Sequence, residues 1–180
     1  MKNIITTIYF CIISIIAFSQ EWTEPVNISN MHAFIQSSDF CIDNSGVFHC
    51  VWNKKVDDNY SVLFYSKSID EGLSWSEPEK ISQNESRYYV YPQICADSEN
   101  NLYVAFDNYD YSSTTESVFS SVIIFNDGSW SESYNLAEGL KSRIVVDYDD
   151  RVYVFWYQGT PHNGEFCYKY FETLLSDKKL

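Results

Sequence analysis

The chain is poor in positive charge: 12 Lys and Arg stand against 25 Asp and Glu, for a net charge of −13. An acidic surface of that size disfavours nucleic acid and anionic membranes as partners. Histidine is scarce, at three scattered copies, and the five cysteines contain no C-x-x-C pair. No zinc pattern exists, and neither a metal nor a cofactor is expected. Ala and Leu are few, which argues against a helical fold. After residues 4–18 no apolar run reaches membrane length, so no span is expected beyond that segment.

What the chain does have is aromatic residues, at 18% of the total. Short runs of Val, Ile, Tyr and Phe alternate with Asn, Asp, Gly and Ser, a pattern of many short strands and an all-β fold. Residues 1–19 read as a signal peptide. Lys2 supplies the positive end, residues 4–18 the apolar run, and Ala17-Phe18-Ser19 the small-residue cleavage site, with cleavage before Gln20. The implied location is secreted, periplasmic or cell-surface. An uncleaved anchor is the alternative.

The rest of the chain repeats. Trp22-Thr23-Glu24-Pro25-Val26-Asn27-Ile28-Ser29 matches Trp75-Ser76-Glu77-Pro78-Glu79-Lys80-Ile81-Ser82 and, more loosely, Trp130-Ser131-Glu132-Ser133-Tyr134-Asn135-Leu136-Ala137, at spacings of 53 and 55 residues. A second unit follows each copy: Phe40-Cys41-Ile42-Asp43, Ile94-Cys95-Ala96-Asp97 and Ile144-Val145-Val146-Asp147, each leading into another strand. A period near 50 residues with four short strands per unit, here called A to D, is a propeller pattern. Cys41 and Cys95 hold the position of Val145, and Cys50 and Cys167 also fall in strands. Four core thiols are therefore expected; two bridges, which export would permit, are the alternative.

Between strands C and D of the first unit lies Ser68-Ile69-Asp70-Glu71-Gly72-Leu73-Ser74-Trp75. The Asp70 carboxylate suits a tight turn as a backbone acceptor, and Gly72 suits the positive φ such a turn needs. This stretch resembles the Asp box, S-x-D-x-G-x-T-W, of the sialidase-like (BNR-repeat) β-propellers, with Ser74 in place of Thr. The second copy is reduced to Asn126-Asp127-Gly128-Ser129-Trp130, and the third, at Phe171-Glu172-Thr173-Leu174-Leu175, has lost the Asp, Gly and Trp. The resemblance covers residues 22–170. It implies a partial propeller over 20–180, with four-stranded antiparallel blades near 22–74, 75–129 and 130–180. In this family the box is a turn, so Ser68, Asp70, Gly72, Trp75, Asp127, Gly128 and Trp130 are read as structural.

The loops on the opposite end, the usual ligand face of the family, carry Arg87, Tyr89, Tyr91, Asp107, Tyr109, Tyr111 and His162, with Arg143 beside them. Aromatic rings with nearby carboxylates and an Arg suit sugar rings, and these residues are the candidate ligand site. Family sialidases use three arginines, a Tyr–Glu pair and an Asp. This chain has only Arg87, Arg143 and Arg151, and Arg151 falls on the turn side. Catalysis needs the whole constellation in reach, so no catalytic residue is assigned. The function expected is a secreted, noncatalytic module for a glycan or cell-surface protein. An exo-sialidase fragment and a purely structural or adhesive repeat are the alternatives.

The strand count gives one D strand at 24–28, then A-B-C-D, A-B-C-D and A-B-C. Three blades do not close a ring, since closure takes at least four. The broken third box favours a chain cut within a blade; two chains pairing into a six-bladed ring is the competing expectation.

Overall fold

The computed structural model describes residues 23–84, 86–111, 117–160 and 163–172. The signal-peptide reading, Trp22, His162 and the third box beyond Glu172 lie outside them. The described residues form twelve strands in three antiparallel sheets, without a helix. Sheet 1 has the order β1 (Ile35–Ile42), β2 (Phe48–Lys55), β3 (Ser61–Ser68), β4 (Glu79–Lys80). Sheet 2 runs β5 (Arg87–Ala96), β6 (Leu102–Asp110), β7 (Ser117–Asn126), with β8 (Ser129–Trp130) and β9 (Tyr134–Glu138) both on the outer edge of β7. Sheet 3 is β10 (Leu140–Val146), β11 (Arg151–Thr160), β12 (Asn163–Glu172).

The strand expected at 24–28 is not one: residues 23–34 belong to no sheet. The sheets span 35–80, 87–138 and 140–172, so the first two end after their D strands and not at the repeated Trp, and the described part of the third ends at its C strand. Strands A and B also reach further than their sequence suggests. Residues 87–91, 107–110 and 138–142, expected in loops, are nearly all in strands. Tyr and Asn there look like loop residues but pair across the ladder.

Strand alternation places the core. In β6, Leu102, Val104 and Phe106 point one way and join Val51, Leu63, Tyr65, Ile94 and Ile123 in a cluster between sheets 1 and 2. Tyr103 and Ala105 point the other way and join Val122, Ile144, Val152 and Val154 between sheets 2 and 3. Sheets 1 and 2 thus each have a front face that packs on the back face of the next. The innermost strand β5 packs on both β1 and β10.

Three A–B turns share one design. Asp43 Oδ1 accepts the N–H groups of Ser45 (2.8 Å) and Val47 (2.9 Å). Asp97 does the same for Glu99 and Asn101, both at 2.9 Å, and Asp147 for Asp149 and Arg151, both at 2.9 Å. The fourth turn residue takes positive φ in each: Gly46 (80°), Asn100 (67°) and Asp150 (59°). Neighbouring turns clasp. Asn44 N–H donates to Asn100 Oδ1 (3.0 Å), and Ser98 N–H donates to Asp150 Oδ1 (2.8 Å). At the other end, every A strand carries one extra residue at the same place, between 35 and 38, 90 and 93, and 140 and 143, a β-bulge.

Asp97 is buried and also accepts the Tyr103 hydroxyl at 2.8 Å. Asp97→Ala should cost about 2–4 kcal/mol, since it strands several donors at once; Tyr103→Phe should cost about 1 kcal/mol. Urea unfolding of both variants checks this ranking.

Candidate functional site

The expected ligand residues divide sharply by burial. Tyr89 is 1% exposed. Its ring meets Phe106 edge-on at 5.4 Å, its hydroxyl donates to Asn84 O at 3.3 Å, and burial pushes its pKa up to about 12. Asp107 is 0% exposed and accepts Lys141 N–H (2.7 Å), Ser142 N–H (2.9 Å) and the Ser142 hydroxyl (2.7 Å). It ties sheet 2 to sheet 3. Both residues are spent on structure, and no ligand reaches them.

Arg143 is exposed and donates from Nη1 to Ser142 O at 3.0 Å. Tyr91 is exposed within the β5 bulge, at φ 55°, where its N–H donates to Ser37 Oγ at 3.0 Å. Arg151 opens β11 beside an A–B turn and pairs with Asp147 (3.6 Å) and Asp149 (3.2 Å). Arg87 opens β5 at the far end of its sheet, in an ion pair with Asp110.

What the fold does assemble is a group of tyrosines at that far end. Register sets Tyr88 opposite Tyr109 and Arg87 opposite Asp110. Tyr88 meets Tyr109 (6.4 Å between centroids) and Tyr111 (6.3 Å) edge-on, while Tyr109 and Tyr111 stack at 6.0 Å. All three are half-buried. The Tyr88 hydroxyl donates to Oε1 of the exposed Gln36 on β1 at 2.9 Å. The cluster therefore spans sheets 1 and 2, with aromatic faces and an amide in one patch, while the Arg87–Asp110 pair on the next rung projects from the opposite face of the sheet. Tyr109 and Tyr111 came from the sequence; Gln36 did not, because only the β1–β5 contact brings it there.

The Asp-box stretch is a tight turn. Asp70 Oδ1 accepts Ser74 N–H (2.8 Å) and the Ser68 hydroxyl (2.7 Å), and Oδ2 accepts the Ser74 hydroxyl (2.5 Å). Ser68 Oγ in turn accepts Gly72 N–H at 2.8 Å, and Gly72 sits at φ 89°. These bonds hold the Asp70 carboxyl down at about 2. The reduced second copy is a two-residue hairpin with positive φ at Asp127 (51°) and Gly128 (79°), a type I′ turn. Trp130 packs on Phe125 at 5.1 Å and edge-on to Tyr65 at 5.0 Å.

A buried string of polar groups lies elsewhere. His49 Nε2 contacts Asp43 Oδ2 at 3.1 Å and Nδ1 contacts the Tyr65 hydroxyl at 2.7 Å. Burial holds the His49 pKa down, and no open surface adjoins it, so its role is to pin β2 to the A–B turn. Cys41, Cys50, Cys95 and Cys167 are free thiols, and burial raises Cys41 to about 12 and Cys50 to about 11. Among the described residues no three His, Cys, Asp or Glu are placed to hold a metal, and no helix is long and apolar enough to cross a membrane. Two clefts, of about 220 and 370 Å³, lie on the back of sheet 1 against Val26 and Ile28, away from the tyrosines.

No protein-family model matches the chain. No curated protein matches it in sequence. Solved structures do match in fold. A protein of unknown function from Dyadobacter fermentans has a TM-score of 0.67 at 11% identity, over 88% of this chain and 46% of that one. An endo-arabinase from Bacteroides thetaiotaomicron has a TM-score of 0.53 at 12% identity, over 88% of this chain and 63% of that one. The chain spans about half the length of the first and under two thirds of the second.

Asp70→Asn should lower the melting temperature at neutral pH, with the difference from the native protein shrinking as pH falls. The carboxylate is favoured in the fold, so its contribution is present above the unfolded value near 3.8 and is lost as pH drops through about 2. Thermal melts between neutral pH and pH 2 check the sign. A gap that stays constant would mean that Asp70 acts by shape and not by charge.

Proposed function

We propose that the protein is a secreted, noncatalytic module of sialidase-like propeller build that binds a glycan through Tyr88, Tyr109 and Tyr111. The observation that carries this reading is the cluster itself. Three rings whose faces and edges meet in one half-buried patch offer flat apolar surface to the C–H face of a sugar. Gln36, which already accepts the Tyr88 hydroxyl, offers an exposed amide at its rim for hydrogen bonds to sugar hydroxyls. The propeller-like arrangement is supported by the repeat, by the front-to-back stacking of sheets, and by the fold likeness to an endo-arabinase.

The noncatalytic reading is supported by the arginines. Arg87 and Arg151 stand at opposite ends of their sheets and each is engaged by carboxylates, which is a poor arrangement for clamping one substrate carboxylate. A protein ligand in place of a glycan would use the same aromatic patch.

Two measurements test the proposal. On a glycan array the mature protein should bind, and Tyr111→Ala should weaken binding about tenfold or more, equal to about 1.4 kcal/mol, with its melting temperature unchanged. An array without any signal, together with capture of a protein ligand, would replace the glycan. Release of 4-methylumbelliferone from its sialoside would overturn the noncatalytic reading. Export is checked separately: the N-terminus of the exported protein should lie at or near Gln20.

A further inference from the structure

Two parts of the fold lack, among the described residues, the partner that the repeat gives their counterparts. Sheets 1 and 2 each have a D strand on their outer edge, but in sheet 3 no described strand pairs with the outer edge of β12. An open edge of ten residues is a template for another strand. The front face of sheet 3 is also uncovered: Phe166, Tyr168 and Tyr170 are 72%, 59% and 55% exposed. By register, Tyr168 and Tyr170 hold the places of Val122 and Ile124, which in sheet 2 are packed against sheet 3.

The complementary pieces stand at the other end of the chain. Residues 22–29 repeat the sequence of 75–82, the stretch that contains β4, but 23–29 belong to no sheet. They nevertheless lie where a D strand of a preceding sheet would lie. Val26 and Ile28 face Cys50 and Trp52 across the back of sheet 1, just as Ile81 packs on the back of sheet 2 and Leu136 on sheet 3. Phe40 and Ile42 on that same back face are 63% and 51% exposed.

We propose that two copies of this chain join head to tail, with residues 24–28 of one copy completing sheet 3 of the other as its fourth strand. The front face of sheet 3 then packs on the back of sheet 1 of the second copy. This repeats the front-on-back contact made twice within the chain, and the strand addition supplies main-chain bonds that fix register. Two such junctions related by a two-fold axis leave neither piece uncovered. The clasp between A–B turns is missing at this junction, because Gly46 has no side chain to offer. The dimer therefore dissociates on dilution more readily than the sheets within a chain separate.

The register can be read in advance. Phe64 pairs with Lys80 and Ser121 with Asn135. Cys167 occupies the place of Phe64 and Ser121, as the residue opposite Trp156 in β11, and Asn27 occupies that of Lys80 and Asn135. Cys167 is a free thiol.

Light scattering on the mature protein at physiological ionic strength should give twice the monomer mass. Asn27→Cys should form a disulfide-linked dimer through Cys167 under mild oxidation, and Asn27→Cys with Cys167→Ser should not. Phe166→Glu with Tyr168→Glu, both at exposed positions, should give a folded monomer with an unchanged far-UV spectrum and a lower melting temperature than the dimer. A native protein that stays monomeric at high concentration, or an Asn27→Cys protein without a Cys167-dependent cross-link, overturns the proposal. A double-Glu variant that remains dimeric overturns it as well.

Discussion

Strand β6 has no solvent side over residues 102–107. Leu102, Val104 and Phe106 fill the space toward sheet 1, while Tyr103, Ala105 and Asp107 meet sheet 3. Burying a side chain such as Phe106 contributes about 2–3 kcal/mol, and here both faces of one strand contribute. Sheets 1 and 3 do not need to touch, because each is held to the same strand from opposite sides. A charge at Val104 or Ala105 would separate one pair of sheets and leave the other in place.

The acidity of the chain takes on a different meaning in this light. Asp43, Asp70, Asp97, Asp107 and Asp147 each accept backbone N–H groups, and they close turns or join sheets. These carboxylates serve the fold. Asp43 and Asp147 share with Asp70 a carboxyl held below the ordinary range. Asp43 owes this to its bonds from His49 and the turn N–H groups, which outweigh burial, and Asp147 first to the Arg151 N–H. Acid weakens all three turns together.

The fold was legible where the repeat carried it. Asp43, Asp97 and Asp147 stood at one position in three units, and the all-β class with three groups of strands followed from their spacing. Function was less legible because the bulge is invisible in the sequence. One extra residue between 90 and 93 lets β5 run on to Arg87, so residues that read as a loop lie in a ladder. Tyr89 lies in the core between sheets 1 and 2 and Asp107 against sheet 3, whereas Tyr88 and Tyr109 lie on a rung further out, a distinction of depth along the ladder that composition does not contain. Residues 24–28 were misread for the opposite reason: their sequence is that of a strand, but no described strand of the chain pairs with them.

The bulges also set how the molecule opens. In each A strand the ladder is interrupted at the same point, which divides the strand into a segment clamped by an A–B turn and one beyond it, shorter in β1 and β10 and of equal length in β5. Amide protons of Ile94 and Ala96 are shielded by core contacts and the turn clasp, whereas those of Arg87 and Tyr88 depend on a few outer pairs. Exchange with solvent is therefore faster at the outermost pairs, Arg87 and Tyr88, than at Ile94 and Ala96. The tyrosine patch sits on the fast side. Its rings can adjust to an incoming surface while the stacked sheets below stay closed.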